Sequence, residues 1–133
     1  MRQVVLASHH RFAQGLADTL EFLGSKNDFK VVCAYVDDEP LAPQVQKIFD
    51  GFAPDDEVLV LTDIMQGSVN QAFVPYANPH TFVVAGVNVA LAFELCLAPE
   101  PLTMERIEAA LVQARDAMVL INTIQVEDDE EDE

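Results

Sequence analysis

The sequence predicts an α/β fold, in which an open and mostly parallel sheet carries helices on both faces. Short runs of β-branched residues alternate along the chain with segments of helical spacing, as in strands joined by helical crossovers. The 133 residues are half apolar, which suits one domain with a continuous core. No apolar run approaches the roughly 18 residues that a membrane-spanning helix needs, and the first residues do not form a secretory signal. We therefore expect a cytoplasmic protein.

The first predicted unit is a strand over residues 3–7 followed by a helix over residues 12–23. The strand is the β-branched run QVVLA. The helix presents apolar side chains on one face, and Gly24 is a suitable stop at its C-terminus. These apolar side chains are Phe12, Leu16, Leu20 and Leu23.

Three more units repeat this alternation. The predicted strands are residues 30–36, 57–61 and 81–85, and the predicted helices are residues 45–52, 69–76 and 89–97. Pro99 and Pro101 end the last of these helices, and Thr103 is a good N-cap for a further helix that reaches about Met118. This order fits a flavodoxin-like sheet.

The end of the chain holds the last predicted strand and an acidic tail. Residues 119–126 (VLINTIQV) are β-rich and have no crossover behind them. This strand is expected to pair antiparallel, either at an edge of its own sheet or on the sheet of a partner, and the pattern leaves both open. The domain therefore spans residues 1–126. Residues 127–133 are all acidic, so we expect this tail to be disordered.

The net charge of −16 narrows the class of partner. Nucleic acids and anionic membrane surfaces are bound by clustered Lys and Arg, which this chain lacks. A basic protein is a better candidate for the partner of this acidic chain. The acidic tail can also serve solubility alone, without any partner.

A reactive site is expected at the carboxyl ends of the first and third strands. Ligands of an open parallel sheet bind where the strand order reverses, and a flavodoxin-like order places that point between these two strands. Ser8-His9-His10 follows the first strand and Thr62-Asp63 follows the third. A carboxylate that accepts a hydrogen bond from an imidazole fixes its tautomer and aims its free nitrogen. The pattern does not choose between His9 and His10.

Gly67 and Ser68 add a candidate anion site beside this pair. Backbone N–H groups and a hydroxyl at a helix start can hold an anion, and a glycine lets the backbone come close. Each residue also has an ordinary explanation: the histidine as a loop residue, Asp63 as a turn cap and Ser68 as an N-cap. His80 precedes a strand, at the other end of the sheet. A zinc site lacks sufficient ligands, so we expect no metal.

Three blocks of the sequence together resemble the IIA components of mannose-type sugar phosphotransferase systems. The blocks are VVLASHHRFAQGLADTLEFLG, DDEVLVLTDIMQGSVNQAF and FVVAGVNVALAFELCLA. They are similar to the family's active-site strand and first helix, to its Asp and Gly-Gly-Ser loop, and to its Gly-Val-Asn segment. The resemblance covers residues 3–118.

The resemblance implies a role for each candidate residue. The phosphorylated histidine of the family falls on His9, the carboxylate that orients it on Asp63, and the serine beside the phosphoryl group on Ser68, with Gly67 before it. His10 stands where the family usually has glycine, Gln66 replaces the first glycine of the Gly-Gly-Ser loop, and Val69 replaces a frequent proline.

The function that the resemblance implies is a phosphoryl relay for sugar uptake. The phosphocarrier protein HPr would supply the phosphoryl group and a IIB component would take it, with no cofactor and no direct membrane insertion. Members of the family are homodimers that exchange the final strand. Alternatives are the phosphocarrier subunit of a dihydroxyacetone kinase and a regulatory IIA-like module that feeds no transporter. A response-regulator receiver is a more distant alternative. Receivers hold magnesium with an acidic pair after the first strand, and this chain has Ser8-His9-His10 at that place.

Overall fold

The computed structural model describes residues 1–124, and its centre is a sheet of four parallel strands in the order β2-β1-β3-β4. The strands are β1 (Arg2–His9), β2 (Phe29–Ala34), β3 (Glu57–Thr62) and β4 (Thr81–Val84). The helices are α1 (Phe12–Phe22), α2 (Leu41–Asp50), α3 (Ser68–Phe73), α4 (Val89–Leu97) and α5 (Met104–Asp116). The predicted α/β class and parallel sheet are confirmed.

Both faces of the sheet are covered because alternate side chains of each strand point to opposite sides. On one face, Val4 and Leu6 of β1 pack in a core with α1, α4 and α5. On the other face, Val5 and Ala7 pack with residues of α2 and α3, including the fully buried Phe73. The central strands are therefore apolar almost throughout, as a sheet buried on both sides requires.

The strand order reverses between β1 and β3, which lie side by side. β1 pairs with β2 on one edge and with β3 on the other, and Ala7 lies opposite Thr62. The residues that follow β1, β2 and β3 consequently meet at one end of the sheet. This is the point at which the sequence predicts the reactive site.

Several element boundaries differ from the prediction for identifiable reasons. β2 ends at Ala34 because Tyr35 turns to a φ of 68°, which leaves the extended region. The helix expected over residues 69–76 is divided into α3 and a 3₁₀ turn, Val74–Tyr76. Pro75 lies at this division and has no N–H to continue the α-helical ladder.

The last predicted strand does not form in the described part of this single chain. Residues 119–124 contain a short 3₁₀ turn, Ile121–Thr123, and their N–H groups bond locally, as in Thr123 N–H to Leu120 O at 2.9 Å. A strand needs a neighbouring strand for its backbone groups, and none lies beside this segment in the described chain. Residues 125–126 and the acidic tail, residues 127–133, lie outside the described residues.

A buried ion pair fastens the amino ends of the strands to the loop after α4. Arg2 Nε donates to Glu57 Oε2 at 2.5 Å, and Arg2 Nη1 donates to the carbonyls of Leu95 and Ala98 at 3.1 and 2.6 Å. Glu57 Oε1 accepts from the N–H of Leu102 at 2.9 Å. Within residues 1–124, no helix combines the length and apolar character required to cross a bilayer.

Candidate functional site

His9 and Asp63 meet at the carboxyl ends of β1 and β3. The backbone N–H of His9 donates to Asp63 Oδ2 at 2.8 Å, and His9 Nδ1 lies 2.9 Å from the same oxygen. An ionised carboxylate only accepts hydrogen bonds, so Nδ1 carries the proton and Nε2 of a neutral ring keeps its lone pair. The His9 side chain is 37% exposed, whereas that of Asp63 is 14% exposed.

The environment of Asp63 keeps its carboxylate ionised. Burial by itself would raise the pKa of Asp63, but three hydrogen bonds outweigh it and hold the pKa below its ordinary value. They come from the backbone N–H of His9, the His9 ring and the N–H of Ile64. At neutral pH this carboxylate is therefore a charged acceptor that aims the ring.

Ser8 shapes the turn that presents His9. It is fully buried, and its Oγ accepts from the N–H of Ala13 at 2.7 Å and donates to the carbonyl of His10 at 3.2 Å. The N–H of His10 donates to the carbonyl of Ala34 at 2.8 Å, which ties the turn to β2. The hydroxyl thus joins the end of β1 to the first turn of α1.

The loop after β3 passes close to the His9 ring. A Cβ added to Gly67 would lie 2.9 Å from His9 Cε1 and 3.0 Å from Ile64 Cγ1, so any other residue there would require the His9 ring or the loop to shift. Ser68 follows as the first residue of α3 and is exposed. The structure therefore brings all four predicted site residues, His9, Asp63, Gly67 and Ser68, to one end of the sheet.

Tyr35 is a site residue that the sequence reasoning missed. It follows β2, its Oη lies 2.6 Å from Ser68 Oγ, and its ring centroid lies 5.6 Å from that of His9. The available signal was its position directly after a strand that neighbours β1. Sequence reasoning extended β2 through this residue and so placed it inside a strand.

The other two histidines stand apart from the carboxylate. The pairing with Asp63 selects His9, while His10 is exposed and has no side-chain hydrogen bond within residues 1–124. His80 precedes β4, at the opposite end of the sheet. Over the same residues, no group of three His, Cys, Asp or Glu side chains could hold a metal ion.

A family model described as the fructose IIA component of the phosphotransferase system, EIIA-man, matches residues 3–112. The chain belongs to this IIA family. The resemblance seen in the sequence is thereby confirmed. No match was found among curated proteins.

Solved structures agree with this IIA assignment. The chain is 36% identical to a provisionally assigned phosphoenolpyruvate-dependent sugar phosphotransferase system permease from Klebsiella pneumoniae, with 92% of each chain covered and a TM-score of 0.84. A Streptococcus pneumoniae IIA protein associated with a fucose utilization operon shares the fold at 23% identity and a TM-score of 0.70, over 91% of this chain and 93% of that one. The mannose/sorbose-specific IIA subunit of Enterococcus faecalis also shares the fold, at 22% identity and a TM-score of 0.70, over 94% of this chain and 98% of that one.

The two departures from family glycines keep the backbone conformation that glycine favours. His10 has a φ of 55° and Gln66 a φ of 68°. Both residues therefore place a side chain at the border of the site from a backbone conformation that glycine would also adopt.

Proposed function

We propose that this IIA chain is a cytoplasmic phosphoryl carrier of a phosphoenolpyruvate-dependent sugar phosphotransferase system, with His9 as the phosphorylated residue. The observation that carries this proposal is the pair of contacts from His9 N–H and Nδ1 to one oxygen of Asp63. They hold the ring in the tautomer that leaves Nε2 as the nucleophile. The family assignment supports a role in sugar phosphotransfer in general.

The transfer proceeds by attack of His9 Nε2 on the phosphorus of phospho-HPr. A new N–P bond forms at Nε2 while the N–P bond of HPr breaks, and its electron pair returns to the HPr imidazole. The proton on Nδ1 stays in its bond to Asp63, whose negative charge offsets the positive charge that develops on the ring. Transfer to a IIB component repeats the same exchange with His9 as the donor, so no nucleotide is needed.

The phosphoryl group is proposed to rest beside Gly67 and Ser68. Gly67 lies against the Cε1 edge of the His9 ring, next to Nε2, and Ser68 offers a hydroxyl at the start of α3. Hydrogen bonds to a charged phosphoryl oxygen are stronger than those between neutral groups.

The carrier is further proposed to act as a homodimer that exchanges residues 119–126. Among the described residues β4 pairs only with β3, and a groove of about 870 Å³ lies between its free edge and α5. Phe82, Ile107 and Leu111 are among its lining residues. The side chains of Leu120 and Ile121, which the exchanged segment would bring, are 63% and 70% exposed in the single chain.

The test is phosphorylation by purified enzyme I, HPr and phosphoenolpyruvate, followed by transfer to a IIB component. We expect one acid-labile, base-stable phosphoryl group per chain, lost in His9→Ala and retained in His10→Ala. Asp63→Asn should fold and transfer more slowly, because the ring loses its charged acceptor. Label that survives His9→Ala, or base-labile label on Asp63, would contradict the proposal.

A further inference from the structure

Tyr35 holds a strained backbone conformation at the rim of the site. Its φ of 68° is in the left-handed region, which is unfavourable for a bulky side chain. His10 and Gln66, the other non-glycine residues with positive φ in the described chain, also follow strands at this end of the sheet. Strained residues that persist around a reactive group point to a role at that group.

Packing does not account for this conformation. The Tyr35 side chain is 55% exposed, so it contributes little buried apolar area. Tyr76, the other tyrosine, shows what a packing role looks like. Its ring stacks on Phe49 at 4.2 Å between centroids, and its hydroxyl donates to Gln46 at 2.8 Å.

The Tyr35 hydroxyl instead lies against that of Ser68, and its ring lies beside the His9 ring, with 5.6 Å between the centroids. Oη and Oγ are 2.6 Å apart, so one of the two hydroxyls donates to the other. The pair holds two protons and its mutual bond uses one. A phosphoryl group beside Ser68 therefore meets two potential donors.

We propose that Tyr35 is a second phosphoryl-binding residue, whose hydroxyl donates to an oxygen of the phosphoryl group on His9. The inference rests on the proposed function of the site. When the phosphoryl group arrives, the bond between Tyr35 and Ser68 is exchanged for two charge-assisted bonds, one from each hydroxyl. When the group leaves, the two hydroxyls bond to each other again, so neither is left unpaired in the free carrier.

The test compares Tyr35→Phe with Tyr76→Phe as a matched loss of one phenol hydroxyl. We expect Tyr35→Phe to be labelled on His9 at a rate about tenfold or more below that of the unchanged protein. Its phosphohistidine should also hydrolyse faster, and its melting temperature should stay the same. Tyr76→Phe should transfer at the normal rate. Normal transfer and lifetime in Tyr35→Phe would overturn the inference while label on His9 still supported the carrier function.

A spectroscopic readout tests whether the Tyr35 ring responds to the phosphoryl group on His9. The chain has two tyrosines and no tryptophan, so Tyr35 is the sole aromatic hydroxyl of Tyr76→Phe. With ¹³C-labelled tyrosine, phosphorylation of that variant should shift the Tyr35 ring resonances. The same shift should be absent in the unphosphorylatable variant His9→Ala with Tyr76→Phe. Resonances unchanged by phosphorylation would overturn the inference.

Discussion

Clearance around one imidazole ring is the feature that matters most at the scale of single residues. The ring of His9 is fixed on one side by Asp63 and bordered on another by the backbone of Gly67. Side-chain volume at position 67 is therefore incompatible with the observed ring position. Transfer of a phosphoryl group depends on alignment, and small displacements of a reacting atom have large effects on rate.

Gly67→Ala should reduce phosphoryl transfer while the fold is retained. The new Cβ would lie 2.9 Å from His9 Cε1, so the ring or the loop has to move. We expect a loss of about tenfold or more in the rate of transfer from phospho-HPr, measured by rapid-quench labelling.

Gly15→Ala is the matched control for this substitution. Gly15 lies inside α1, and an added Cβ would meet nothing within 4 Å. Because alanine is more favourable than glycine inside a helix, Gly15→Ala should raise the free energy of unfolding by about 0.5–1 kcal/mol and leave the rate of transfer unchanged. A normal rate in Gly67→Ala would show that the His9 ring tolerates displacement.

The junction between β1 and α1 connects stability with chemistry at the scale of elements. The N-cap position of α1 is Arg11, which makes no side-chain capping bond. Ser8 supplies that bond from inside β1, by accepting from the N–H of Ala13. One buried hydroxyl thus caps the helix and also fixes the turn that carries His9.

Ser8→Ala should therefore affect both stability and transfer, because the hydroxyl serves both. We expect the free energy of unfolding to fall by about 1 kcal/mol, as for loss of an ordinary cap, with a slower transfer to His9. Denaturant unfolding and labelling kinetics measure the two effects on the same sample.

Thr103→Ala provides the comparison at a helix start away from the site. Thr103 Oγ1 accepts from the N–H of Arg106 at 3.1 Å and caps α5. Its loss should lower stability by a similar amount of about 1 kcal/mol without changing the rate of transfer. Equal transfer rates in the two variants would show that Ser8 acts only as a cap.

At the scale of the whole molecule, local pattern predicted a parallel sheet with helices on both faces, while the strand order was taken from the flavodoxin-like fold that this alternation fits. A histidine at the end of β1 and Asp63 after β3 could be paired in advance because parallel strands end at the same edge, but the pattern left His9 and His10 open and the resemblance to the IIA family chose His9. The contact of Tyr35 with Ser68 could not be predicted, because it depends on a left-handed turn at Tyr35. The β-rich run that contains Tyr35 predicts an extended strand there. The strand predicted over residues 119–126 is absent from residues 119–124 of the single chain for another reason. A strand needs a neighbouring strand to pair with, and the sequence pattern does not show which strand that would be.

The proposed dimer gives a prediction at this scale. Leu120→Asp combined with Ile121→Asp should convert a species with the mass of two chains into one with the mass of a single chain, because charges cannot enter the apolar groove beside β4. Sedimentation equilibrium measures the mass. Phe22→Asp, which changes a side chain that is 87% exposed at the end of α1, should leave it unchanged. A single-chain mass for the unchanged protein would rule the dimer out.

The ion pair between Arg2 and Glu57 lies at the far pole of β1 from His9, separated from it by the length of the strand. This ion pair and the reactive imidazole therefore lie at opposite ends of the same strand. Substitution of Arg2 or Glu57 is therefore expected to change the melting temperature while the His9 imidazole stays in place, whereas substitution of Ser8, beside His9, is expected to change stability and transfer together.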